Sequence, residues 1–223
     1  MDYSNKKKAA LLFSVLLFPS ILYVVFSSGK HTFLYRPILG PKTVNVDGDT
    51  LYHSVSPFFF QQCGGNTISD SKFKNKIIIM GFFNESDSLV SARICNQMMT
   101  LHEKFRTNDD IVLISISATG DSIALNEACR IENEFPIDNG KWHLGVLESN
   151  LDSFALGQLC LDKSTDGFDY SKLVLLDKSK RIRSFSDATQ FSETKILIDD
   201  IKVVIAEDFI PKKERKLKAD TIH

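Results

Sequence analysis

The sequence predicts an α/β fold: a central mixed β-sheet flanked by helices, with an N-terminal β-hairpin extension and one transmembrane helix ahead of it. Near-continuous apolar runs at Lys76–Phe83 and Asp110–Ser117 read as strands buried on both faces. Each is followed by residues at helical spacing. "KLVLLDKSKRIRSF", Lys172–Phe185, reads as a strand–turn–strand hairpin, and strands alternating with helices before an antiparallel hairpin point to a mixed sheet.

Taken in order, the chain opens on a basic stretch, residues 1–8, containing Lys6, Lys7 and Lys8. Residues 9–26, "AALLFSVLLFPSILYVVF", carry no charge and span roughly 27 Å as a helix, against a bilayer core of ~30 Å. Pro19 is tolerated in a membrane helix. Lysines ahead of the span place residues 1–8 in the cytoplasm. This predicts a single-pass protein of the inner (cytoplasmic) membrane with its C-terminal domain in the periplasm. A cleaved signal peptide is the rival reading, although Ser27–Gly29 form no Ala-x-Ala site. No cysteine follows the span closely, which argues against a lipoprotein anchor.

Residues 27–50, with Pro37, Gly40, Pro41 and Gly48, read as a linker. The domain is expected over 51–206. It begins with two short strands around Gly64-Gly65, followed by the Lys76–Phe83 strand. A helix over Leu89–Phe105 follows from Val90, Ile94, Met98, Leu101 and Phe105. After the Asp110–Ser117 strand, Ala124, Ala128, Ile131 and Phe135 mark a helix over Ser122–Phe135. "WHLGVL" is a short strand, Leu151–Cys160 a short helix, and Thr194–Ile205 the closing helix. Residues 207–223 form a charged tail. This order is that of a thioredoxin-like architecture.

Hydrophobic residues make up 43% and charged residues 25%, as in ordinary globular chains. A net charge of −1 gives no electrostatic case for nucleic acid. There is no C-x-x-C, no His pair at metal spacing, no Ser-His-Asp signature, no phosphate loop and no dinucleotide fingerprint. No catalytic or cofactor-binding residue is therefore assigned, and the chain does not read as an enzyme. Cys95, Cys129 and Cys160 read as packing thiols. Cys63, beside the glycine pair, reads as the exposed one, open to reaction or to pairing with another chain. An exported domain permits a disulfide, but sequence does not choose the partners. Glu85, Asp87 and Asp169 would offer three carboxylates to a hard cation, or an acid–base pair, if the fold brought their loops together. Solvated loop residues are the plainer reading. His143 reads as structural.

The segments "SKFKNKIIIMGFF", "MMTLHEKF", "DDIVLISIS", "NGKWHLGVL" and "KLVLLDKSKRIRSF" resemble, in the same order, those of the Sco/SenC family of membrane-anchored copper chaperones. The resemblance covers roughly Leu51–Ala206, and the N-terminal anchor fits it. It implies a Cys-Pro-x-x-Cys-Pro motif at the first strand–helix turn and a His before the late hairpin, a soft donor set suited to Cu(I). Aligned on the flanking residues, the two cysteines fall on Asp87 and Ser91, the prolines on Ser88 and Ala92, and the His on Asp169. The family's Asp-Pro-Glu falls on Ser117-Ala118-Thr119. Asp87, Ser91 and Asp169 are thus vacated ligand positions, with no metal ligand and no cofactor predicted. The resemblance implies a degenerate member without copper or redox activity, held by the membrane and working through contact with a protein partner, in respiratory-oxidase or other metal-centre assembly. The alternative is an active copper chaperone or thiol–disulfide protein using non-standard cysteines.

Overall fold

The structure, a computed structural model, describes residues 13–24 and 35–209 apart from 16, 47, 85, 120, 121, 139 and 166. The chain divides into two compact units, residues Met1–Leu34 and Tyr35–His223. In the first, residues 13–15 and 17–24 are helical, with Phe13, Phe18 and Tyr23 exposed. The expected span, 9–26, runs past the described residues at both ends. Among the described residues no helix is long and apolar enough to cross a membrane.

The second unit holds strands β1 (Lys42–Val44), β2 (Thr50–Tyr52), β3 (Phe59–Gln62), β4 (Thr67–Ser69), β5 (Ile77–Phe83), β6 (Ile111–Ser117), β7 (Trp142–Leu147), β8 (Lys163–Ser164), β9 (Gly167–Phe168), β10 (Lys172–Leu176) and β11 (Ile182–Asp187). Its helices are α1 (Ser88–Phe105), α2 (Ser122–Glu134) and α3 (Phe191–Glu207). A seven-stranded sheet runs β11-β10-β5-β6-β7-β3-β4. The β5–β6 and β6–β7 pairs are parallel, whereas β10 is antiparallel to both β5 and β11, and β3 to both β7 and β4. The sheet is therefore mixed, as expected.

Every residue of β5 and β6 is buried, and strand parity divides them between two cores. Ile77, Ile79 and Phe83 face Ile94, Met98 and Leu101 of α1, Ala128 and Ile131 of α2, and Leu197 and Ile201 of α3. Ile78, Met80 and Phe82 face Phe58, Phe154 and Leu159 on the other side. All three α-helices thus lie on one face: β5, β6 and β7 advance in one direction, so the right-handed crossovers through α1 and α2 return on the same side, and α3, after β11, packs into the same core. The opposite face is covered by irregular chain and by Ser153–Gln158, which is π-helical where the sequence reads as an ordinary short helix. Gly81 lets α1 close on the sheet: a Cβ there would meet Leu173 Cδ2 at 2.9 Å and Met98 Sδ at 3.3 Å.

Residues 35–50, read from the sequence as part of a linker, belong to the second unit. β1 and β2 pair with each other, and Leu39 N–H donates to Ile182 O at 2.8 Å. The Arg183 guanidinium, buried, donates to the carbonyls of Arg36 and Pro37 and to Glu207 and Asp177. A buried guanidinium needs acceptors, and this strap supplies two of them. Its Pro and Gly content signals irregular backbone, which the domain uses as a fixed edge. The β8–β9 hairpin is likewise absent from the sequence reading.

Cys63 and Cys129 form a disulfide, Cα–Cα 5.0 Å, joining the β3–β4 turn to α2. This corrects two expectations, since Cys129 is not a packing thiol and Cys63 is not left open for another chain. The pairing crosses 66 residues, a separation that local pattern cannot reveal. Cys95 and Cys160 are free.

Candidate functional site

β5 ends at Phe83 and α1 begins at Ser88, so Asn84, Ser86 and Asp87 lie in the strand–helix turn. The Ser91 hydroxyl donates to Asn84 O and accepts from Asn84 N–H, both at 2.7 Å, closing the turn against the first helical turn. Asp87 is the N-cap, its Oδ1 accepting from Val90 N–H at 3.2 Å. A short acceptor at this position satisfies a donor that the helix leaves free. The other oxygen, Asp87 Oδ2, accepts from the Tyr170 hydroxyl at 2.8 Å.

Tyr170 lies between β9 and β10. Its neighbour Asp169 turns into its own loop, where Oδ1 accepts from Ser171 N–H at 3.1 Å and Ser171 Oγ at 2.5 Å. Lys172 Nζ stands 3.8 Å from Asp169 Oδ2 and 3.8 Å from Asp187 Oδ2. The strand–helix turn and the loop before β10 therefore meet, and Tyr170 joins them. Sequence reading passed Tyr170 over; its only signal was its place beside Asp169. Asp87 and Ser91 share one turn, whereas Asp169 belongs to the opposing loop and bonds locally. Glu85, offered with them as a third carboxylate, lies outside the described residues. Among the described residues no group of three or more His, Cys, Asp or Glu side chains is arranged to hold a metal ion.

The remaining candidates serve packing. Cys95 is buried on α1 and its thiol is pushed up to about 12 by burial and then by the Glu127 charge; it is not a nucleophile at neutral pH. Cys160 is half-buried, and burial raises its thiol too. His143 Nδ1 pairs with Gln62 Nε2 at 3.0 Å, and its ring lies 4.9 Å from that of Phe73. Burial, with Lys72, pushes it down to about 4. Buried His102 is also lowered by burial, and His53 Nε2 sits 2.7 Å from Gln158 O. Ser117 Oγ lies 3.1 Å from Thr119 Oγ1, and Ala118 N–H donates to Phe83 O at 2.6 Å, so the Ser117–Thr119 segment seals the end of β6 against β5.

These elements define a thioredoxin-like α/β domain, and solved structures bear that out. BsSco, a member of the Sco family of cytochrome c oxidase assembly proteins, superposes with a TM-score of 0.58 at 18% identity, covering 76% of this chain and 98% of its own. A SCO1/SenC family lipoprotein from Bacillus anthracis str. Ames gives 0.59 at 17%, covering 70% and 96%. A DsbE-type thiol:disulfide interchange protein from Chlorobium tepidum gives 0.52 at 8%, covering 73% and 99%. The Sco/SenC likeness read from the sequence is thus met in three dimensions, and at these identities it establishes the fold. No family model matches the sequence, and no curated protein matches it.

Proposed function

We propose that the chain is a Sco/SenC protein that keeps the family's loop geometry without its metal chemistry and works through protein contacts in respiratory-oxidase or other metal-centre assembly. One observation carries this reading. The side chains at the three expected ligand positions are oxygen donors engaged in hydrogen bonds that build the turn, Asp87 with Val90 and Tyr170, Ser91 with Asn84, and Asp169 with Ser171. Hard oxygen donors are a poor match for Cu(I), and neither Asp nor Ser forms a disulfide. These residues do not fit a resident copper, and no metal or cofactor enters the proposal.

The uncharged 9–26 stretch supports a single-pass anchor, and the Cys63–Cys129 disulfide supports an oxidising compartment such as the periplasm. The disulfide also favours a second reading, thiol–disulfide exchange by Cys63 and Cys129. Against it, the pair lies on the β3–β4 turn and α2, away from the strand–helix turn. Complementation separates the readings. In cells deleted for the chain, a Cys95→Ala, Cys160→Ala variant and a Cys63→Ala, Cys129→Ala variant, each at wild-type abundance, are compared for assembled terminal oxidase. Contact function predicts that both restore it. Failure of either, with the protein folded and abundant, contradicts the proposal.

A further inference from the structure

The end of the sheet where β5 and β6 finish carries large apolar side chains that stay more than half exposed among the described residues. Leu89, in the first turn of α1, is 66% exposed; Ile123, in the first turn of α2, is 62% exposed; and Phe191, opening α3, is 56% exposed. All three belong at this end. Leu89 follows Asp87 by two positions. Ile123 follows the end of β6, which pairs with the end of β5 through Ser117 and Phe83. Phe191 follows Asp187, which pairs with Lys172 at the start of β10, and β10 runs antiparallel to β5. A continuous chain of contacts crosses between Leu89 and Phe191: Asp87 to Tyr170, then Asp169 to Lys172 to Asp187. A soluble surface does not commonly place several such side chains around one junction without a use for them.

The rim is acidic. Asp87, Asp169 and Asp187 border the junction, with Glu193 in the first turn of α3. Burial pushes the Asp187 carboxyl up, but hydrogen bonds from Thr189 and Gln190 and the Lys172 charge outweigh it, so the group stays ionised. Lys172 is shared between two of these carboxylates, and Lys195 lies over the Phe191 ring at 4.9 Å. The balance is negative.

We propose that this end of the domain is a docking surface for a protein partner whose contact patch carries apolar side chains interspersed with Lys and Arg. The proposal rests on the contact function given above and names where and with what chemistry the contact is made. Charge excludes the other occupants. A second copy presented through the same end would set acidic rim against acidic rim, and an anionic lipid surface would be repelled. Leu89, Ile123 and Phe191 supply the apolar anchors of the contact, where truncation costs most, and the carboxylates between Leu89 and Phe191 set approach and salt dependence.

Site-directed photo-crosslinking in the full chain, in membranes of cells that produce it, tests the surface. Benzoylphenylalanine is placed singly at Leu89, at Phe191 and, in the last turn of α1, at Lys104. The expected result is one protein adduct from positions 89 and 191 and none from 104, with the captured peptide carrying Lys or Arg beside apolar residues. Its yield should fall several-fold on raising salt from about 50 mM to about 300 mM, because salt screens pairing to these half-exposed carboxylates. Yield at 191 should also fall several-fold in Leu89→Asp, whose side chain is too exposed to affect folding. Adducts between two copies of the chain, an acidic partner peptide, or no adduct at any position would overturn the proposal. An adduct from position 104 alone would overturn this surface while leaving contact function standing.

Discussion

The Tyr170 hydroxyl donates to Asp87 Oδ2 at 2.8 Å across 83 residues of chain, and in doing so it ties the strand–helix turn to the loop before β10. The family resemblance would bring two thiolates and an imidazole together across this same junction. Here a hydrogen bond between an N-cap carboxylate and a phenol spans it. Tyr170→Phe removes the hydroxyl that makes this bond and should cost about 1 kcal/mol. Asp87→Ala also removes the helix cap and should cost about 2 kcal/mol. Urea unfolding of the single and double variants gives their coupling; additive losses would show that the bond does not join the loops.

The disulfide makes a definite count of thiols. In denaturant without reductant, only Cys95 and Cys160 should react with a maleimide; with reductant, Cys63 and Cys129 should join them. In the native state Cys95 should stay unreacted at neutral pH, because burial holds its thiol up at about 12. Replacing Cys63 and Cys129 by Ala should destabilise the domain by about 4 kcal/mol, the loop-closure value for so long a separation.

His143 predicts an acid-sensitive fold. Its folded value is pushed down to about 4 from an ordinary 6.5, so the unfolded chain binds this proton first. Stability from neutral His143 is fully present above pH 6.5 and is lost as pH falls towards 4, reaching a loss of about 3 kcal/mol there. Carboxylates add their own dependence, so the measurement is a difference. Denaturation midpoints of wild type and His143→Gln should converge as pH falls from 7 to 4; parallel curves would remove His143 as the cause.

Arg183 fastens the strap that enters the domain at Tyr35. Its side chain is 1% exposed, 3.3 Å from Asp177 and 2.6 Å from Glu207, with the Tyr35 ring 4.9 Å away. Arg183→Met leaves the buried Glu207 carboxylate without its cation, while Asp177 keeps Arg181 at 2.8 Å, and should cost about 3 kcal/mol. Limited proteolysis should then cut first near Arg36 and Pro37, whose carbonyls lose their donor.

The main strands, all three helices and the Gly64-Gly65 hairpin were legible because each carries its own period or punctuation. β5 and β6 are buried on both faces and read as unbroken apolar runs; α1 repeats Ile94, Met98, Leu101 and Phe105. The strap, the β8–β9 hairpin and the disulfide were not legible, since each is defined by a partner far along the chain. Tyr170 escaped for the same reason. Asp87 and Ser91 could be singled out, but only the fold shows what they do: one caps a helix and the other closes a turn.

Cu(I) binding by competition with a chromogenic chelator tests the central claim most directly, on the wild type and on a variant carrying Asp87→Cys, Ser91→Cys and Asp169→His. The account predicts no tight one-to-one site in the wild type and a gained submicromolar site in the variant, because the fold brings the two loops together at this junction and soft donors are what it lacks. A submicromolar wild-type site lost on Cys95→Ala or Cys129→Ala would contradict it.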